Sequence, residues 1–330
     1  MTNFDINKAY VGDTQVDKIY LGTDVVWGGS EPEPDPMLTT PLTFEITSVG
    51  TGETGSIGLR LSGDTSYPNK RKLVYFLNHE GTETDGVLEL REVASNSAIT
   101  SLISGLTVGD KIEFWGYRDQ GGMSVSESAF EFFVTTAGVT AKVYGNVNSL
   151  LFSGDFYYGQ PVPQTAETAA YAFYKLFQNK TGFTFGAPDD LQHIALPVPA
   201  NGLQDSIYRE MFYGCTSMTT PPRLPATTLA NNCYRYMFYG CTSLTTAPEL
   251  PATTLAQYCY ERMFYSCTRL NYIKCLATNI SAFFGLANWV SGVASNGTFV
   301  KHPDATWPTG VYGIPTGWAI EDAVIAENNE

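Results

Sequence analysis

Charge is what this sequence has least of. Asp, Glu, Lys and Arg make up only 16% of the 330 residues, against 43% hydrophobic ones, so Thr, Ser, Asn, Gly and Tyr must carry much of the surface. Within that small allotment, 33 acidic residues face 19 basic ones, for a formal charge of -14. The longest basic run is Lys70-Arg71-Lys72. Nucleic-acid binding needs clustered positive charge, so it is excluded. No 18-residue apolar run is present, so no membrane insertion is expected. The opening MTNFDINKAYVGD has neither a basic nor an apolar leader region, and no signal peptide is expected there. GxGxxG, Walker and HExxH patterns are missing, so no cofactor is expected. Paired CxxC ligands are missing too, and the three histidines (79, 193, 302) are scattered, which excludes zinc. Asp189-Asp190 beside His193 is the one general-base fragment, and no nucleophile context joins it. The chain reads as a non-enzyme.

What is present falls into blocks. Residues 1–29 hold two echoes, Tyr10-Val11-Gly12-Asp13 and Tyr20-Leu21-Gly22-Thr23-Asp24, each a turn dipeptide among β-prone residues. Such a short ribbon buries little by itself and predicts an attachment or oligomerisation module, with Tyr10, Tyr20, Leu21, Val26 and Trp27 as its contact residues. Residues 30–37 are an acidic, proline-rich spacer suited to extended conformations. Over 38–136, six or seven short β-prone runs (LTFEITSV, SIGLRLSG, RKLVYFLN, GVLELREV, KIEFWGY, AFEFFVTT) predict an immunoglobulin-like sandwich, with a barrel as the competitor.

Residues 137–195 form a transition with a worn repeat, AYAFYKLFQNKTGF. From 196 to 275 the repeat is clean, with Met211-Phe212, Met237-Phe238 and Met263-Phe264 spaced by 26. A period in the twenties predicts a solenoid. The spacings of Leu229, Cys233, Met237-Phe238 and Cys241 predict a short helix in each unit, and Ser243–Thr246 a brief strand. Residues 276–330 lose the period and predict an irregular cap built on Trp289, Trp307 and Trp318. The fold class is therefore multidomain α+β.

Repetition also explains the cysteines. Cys215, Cys241 and Cys267 recur at 26, as do Cys233 and Cys259, so they form columns of buried fillers. A disulfide is the remaining option, but eight residues of helix would hold Cys233 and Cys241 about 12 Å apart, beyond bridging reach. Tyr213, Tyr239 and Tyr265 share one register and form either a binding row for a sugar or protein partner or packing with its edges in solvent.

The text LPATTLANNCYRYMFYGCTSLTTAPELPATTLAQYCYERMFYSCTRL, with the entry VYGNVNSLLFSGDF and the exit GTFVKHPDATWPTGVYGIPTGW, resembles the BspA-like leucine-rich-repeat units. These occur in surface proteins of gut Bacteroidales and in virion proteins of their tailed, crAss-like phages. The resemblance covers about 137–328. The preceding block is similar to the sandwich that often sits before such repeats, and KIYLGTDVVWGG to a short module of phage structural proteins. The resemblance implies an adhesive or structural role. The expected protein is a head-fibre, accessory tail or decoration protein on the virion surface, held to other virion proteins through its N-terminus. It would be a homo-oligomer, dimer or trimer, with its repeats turned to a host glycan or surface protein. The alternatives are a bacterial cell-surface adhesin and a virion protein whose repeats contact neighbouring subunits.

Overall fold

Gly12-Asp13 and Gly22-Thr23 each interrupt a β-prone run, and the chain pairs on both sides of each. In the computed structural model, β1 (Ala9–Val11) pairs antiparallel with β2 (Thr14–Val16), and β3 (Lys18–Leu21) with β4 (Asp24–Gly28). The structure describes residues 9–11, 14–16, 18–21, 24–28, 38–51, 54–62, 72–89, 100–116, 129–134, 138–151, 170–186 and 193–325. Contacts divide the chain into two units, 1–36 and 37–330. The acidic spacer lies outside the described residues.

In the larger unit, hydrophobic alternation builds strands. Leu42, Phe44 and Ile46 are buried on β5 (Leu42–Val49), and Ile57 and Leu59 on β6 (Gly55–Ser62). There follow β7 (Lys72–His79), β8 (Thr82–Glu89), β9 (Thr100–Leu106), β10 (Lys111–Gly116), β11 (Ala129–Val134) and β12 (Val139–Asn146). A 3-10 turn, Val147–Leu151, leads to β13 (Phe183–Phe185) and β14 (Ile194–Ala195). One sheet runs β13-β12-β5-β10-β7-β8, with β14 also on β12; the other runs β11-β6-β9. Phe132 of the smaller sheet meets Phe44 and Phe114 of the larger, both at 4.8 Å.

The order differs from an immunoglobulin sandwich. Counting the first seven strands of this unit in turn, the first would lie with the second and the last with the sixth. Here β5 joins β10, and β11 crosses to β6. The exchange leaves the other side of β5 to β12. Beyond it, β13 and β14 add in parallel, which brings the transition into the same sheet.

The expected α+β architecture with an α/β solenoid does not form. Among the described residues there is no α-helix, and the segments read as helical are chains of turns. Every fourth residue adopts a left-handed φ: Ser206, Glu210 and Gly214 in one unit, Asn232, Tyr236 and Gly240 in the next, Tyr258, Arg262 and Ser266 in the third. A left-handed residue breaks an α-helix, which needs negative φ throughout. Within a unit, Met237 N–H closes a turn onto Tyr234 C=O at 3.1 Å. Alternate N–H groups instead point to the next unit: Tyr234 to Cys259 C=O at 3.2 Å and Phe238 to Met263 C=O at 3.0 Å. The units thus satisfy each other's backbone, as strands do.

Side chains follow the same register. Phe212, Phe238 and Phe264 stack at 5.7 and 5.8 Å, and buried Tyr208, Tyr234 and Tyr260 at 5.9 and 6.2 Å. The worn repeat aligns with them, Phe177 on Phe212 at 5.6 Å, while Phe177 also meets Phe132 at 6.0 Å. One hydrophobic core therefore runs from Leu42 to Trp318, and the multidomain expectation fails within this unit. The expected strand at 243–246 shrinks to a single bridge, Thr246 to Tyr272. Beyond the turn chain, parallel strands return as β15 (Tyr272–Cys275), β16 (Thr298–Lys301) and β17 (Ala319–Asp322). Trp289, Trp307 and Trp318 are buried there, with indole N–H groups donating to the carbonyls of Gly313, Ala277 and Ala294 at 2.8, 3.2 and 2.8 Å.

Candidate functional site

The turn chain creates three left-handed columns, and they are filled very differently. The column of Gly214, Gly240, Ser266 and Gly292 uses mostly glycine, the cheap choice for this backbone. The column of Ser206 and Asn232 continues into Tyr258 and Phe284, and the column between them holds Glu210, Tyr236, Arg262 and Asn288. Bulky residues at positive φ cost on the order of 1–2 kcal/mol each, and such outliers gather at functional positions.

Of these, Tyr236, Tyr258, Arg262 and Phe284 belong to one strip of linked contacts. Phe283 and Phe284 lie 60% and 49% exposed, with centroids 4.3 Å apart. Phe284 stacks on Tyr258 at 5.7 Å, and the Arg235 guanidinium lies over both Tyr258 and Tyr236 at 5.2 Å. Arg262 lies over Tyr236 at 5.5 Å and Tyr265 at 6.0 Å, and its Nη1 donates to the Tyr236 hydroxyl at 2.7 Å.

Tyr265 opens the predicted row. Tyr213, Tyr239 and Tyr265 are brought together, half-buried, at centroid distances of 4.6 and 4.8 Å with planes 4° apart. Their spacing is that of hydrogen-bonded strands. Tyr239 has both faces covered by its neighbours, so only its edge reaches solvent. A sugar ring needs an open aromatic face, and within this strip the exposed phenylalanine pair offers more than the row. Burial, then Tyr239 and Glu210, push the Tyr213 phenol up. Across the strip, Lys175 and Arg209 pair with Glu210 at 3.5 and 3.2 Å, and Arg235 with Glu261 at 2.8 Å.

The cysteines do more than fill space. All six are buried free thiols. Cys215, Cys241 and Cys267 donate to the carbonyls of Phe177, Phe212 and Phe238 in the preceding unit, at 3.0, 3.2 and 3.0 Å. Burial pushes the thiols of Cys215, Cys259, Cys267 and Cys275 up to about 12. Such thiols are not nucleophiles. Among the described residues, no three His, Cys, Asp or Glu side chains converge to hold a metal. His193 is buried, and Asp189 and Asp190 lie outside the described residues. In the attachment module, Tyr10 lies on β1, Tyr20 and Leu21 on β3, and Val26 and Trp27 on β4. Trp27 pairs with Ile19, and Tyr20 with Val25, so Val26 sits at a register irregularity.

Sequence reasoning missed two features. One is the Phe283-Phe284 pair, whose only signal was two adjacent aromatics where the period fails. The other is a groove of about 700 Å³ lined by Pro221, Pro222, Pro225, Pro248 and Pro251, with Arg223 and Glu249 in its wall. The 26-residue spacing of Pro222 from Pro248 and of Pro225 from Pro251 could have found it. Family models, curated proteins and solved structures were all compared with the chain, and none matches it.

Proposed function

We propose that this chain is a non-enzymatic virion protein that attaches to the particle through residues 1–29 and presents the turn stack as an adhesion face. The observation that carries the adhesive part is the filling of the left-handed columns. Where Gly or Asn would be cheapest, the chain places Tyr236, Tyr258, Arg262 and Phe284, and all four belong to one partly exposed strip. Aromatic residues and arginine are the side chains that dominate binding surfaces. Support for the virion comes from the resemblance of the repeats and from the separate N-terminal unit. Repetition suits weak contacts multiplied over many copies, and a dimer or trimer adds to that multiplicity.

The test is a cryo-electron microscopy map of the particle that carries this chain. Density for residues 1–29 within the capsid or tail, with the Phe283-Phe284 strip turned to solvent, is the expected result. A strip covered by other subunits would make the repeats cement between virion proteins and end the adhesion reading.

A further inference from the structure

Taking the strip as the binding face, we infer that its ligand is a glycan carrying an isolated carboxylate, and that Arg262 is the residue that reads it. The columns and their flanks hold four cations, Lys175, Arg209, Arg235 and Arg262, against three carboxylates, Glu210, Glu261 and Asp205, the last bonded to Ser206 and Asn232. Three of the cations are paired. Among the described residues Arg262 alone of the four has no carboxylate partner, and its guanidinium's one hydrogen bond goes to the Tyr236 hydroxyl. In a chain of charge -14, this leaves a local positive excess at one point of an aromatic surface.

A planar guanidinium matches a carboxylate in two parallel hydrogen bonds. Tyr236 and Tyr265 flank it, at 5.5 and 6.0 Å. The same contact-linked strip ends at Phe283, 60% exposed beside the Phe284 ring that stacks on Tyr258, and Phe283 offers a surface for the apolar face of a pyranose. One unpaired guanidinium suits one carboxylate among neutral sugars. A dense polyanion would meet the repulsion of the whole acidic chain.

The experiment is an oligosaccharide array probed with the full chain. Sialylated, glucuronate- and galacturonate-containing glycans are each set beside a neutral parent lacking the carboxyl group, with polyglutamate as a non-sugar anion. At least one acidic glycan should bind about tenfold or more tightly than its neutral parent, the size expected of a charge-assisted hydrogen bond. Arg262→Gln should remove that preference. Tyr236→Phe, which keeps the charge but loses the hydroxyl that orients it, should reduce it partway in a protein with an unchanged melting profile. The inference is overturned if acidic and neutral forms bind alike, if Arg262→Gln keeps the preference, or if polyglutamate binds as well as the glycans. Neutral glycans bound through Phe283 and lost in Phe283→Ala would overturn the acidic ligand and leave the adhesion reading standing. No glycan bound, with Phe283→Ala without effect on attachment to host cells, would remove both.

Discussion

The two halves of the larger unit solve the same packing problem in opposite ways. In the sandwich, Phe44 meets Phe114 at 80°, Phe132 at 48° and Phe183 at 85°, each partner coming from a different strand. In the turn stack, Phe238 meets Phe212 and Phe264 with planes 3° and 2° apart. One core depends on distant segments arriving together; the other depends on each unit copying its neighbour. In the stack the interior is fixed by repetition, so the residues facing solvent can vary from copy to copy. That is where Glu210, Tyr236 and Arg262 differ, each beside a constant Met-Phe pair.

The sharpest test of the comparison is at the seam. Phe132 touches both Phe114 of the sandwich and Phe177, the first ring of the stack. Phe132→Ala should cost about 3–5 kcal/mol. Because the core is continuous, calorimetry should show one transition of the larger unit moving down as a whole. Two transitions, with only one displaced, would mean that the halves fold independently.

Next in size are the thiol columns, which the sandwich has no counterpart for. Cys241→Ala removes both the buried sulfur and its bond to the Phe212 carbonyl, and should cost about 1–3 kcal/mol. Cys241→Ser keeps a donor in place and should lose less. If serine is as harmful as alanine in denaturant melts, the S–H···O bond contributes nothing. Labelling follows from the same burial. At pH 8 the native thiols should stay unmodified and become reactive together as the protein unfolds.

Smaller effects should come from the left-handed positions. Gly240→Ala meets nothing nearer than Gly214 Cα at 3.9 Å, so its cost is conformational, about 1–2 kcal/mol. Ser266 occupies the same column at φ 59°, and Ser266→Gly should stabilise by less than about 1 kcal/mol. Opposite signs in thermal melts would establish the column; equal signs would remove the argument from backbone strain.

Those left-handed residues also explain what was and was not legible. The period of 26 was visible because whole phrases recur. The helix reading failed because spacing by four is shared by helices and by this turn chain. Leu229, Cys233, Met237 and Cys241 keep a strict four, whereas an α-helix would rotate about 40° at each such step. Asn232, Gly214 and Gly240 were the available hint, since these residue types tolerate positive φ. Tyr236, Tyr258 and Arg262 gave no such signal, so the strip they form could not be read, although the row of Tyr213, Tyr239 and Tyr265 could. The exchange of β5 and β11 was illegible for another reason: pairing between strands so far apart is set by the whole core and not by local pattern.

The smallest effect expected belongs to the sandwich alone. His79, at the end of β7, contacts Asp110 before β10, Nδ1 to Oδ1 at 2.7 Å, and Asp110 also accepts from Thr107 N–H at 2.8 Å. The hydrogen bond to Asp110, then its charge, hold the His79 imidazolium above its ordinary value of 6.5, with a smaller contribution from Glu80 against the opposing effect of burial. A raised folded value means that the pair's contribution is fully present below the unfolded value of 6.5 and is lost as pH rises through the folded value. Denaturant midpoints measured from about pH 5.5 to 8.5 should therefore contain a small declining component that His79→Gln abolishes. The turn stack has no equivalent pair in its repeats, so proton exchange from its buried amides, corrected for intrinsic rates, should not follow that component unless the seam transmits it. Protection in the stack that falls with His79 titration would show the two halves coupled well below global unfolding, and would weaken the contrast between a core assembled from distant strands and one assembled by repetition.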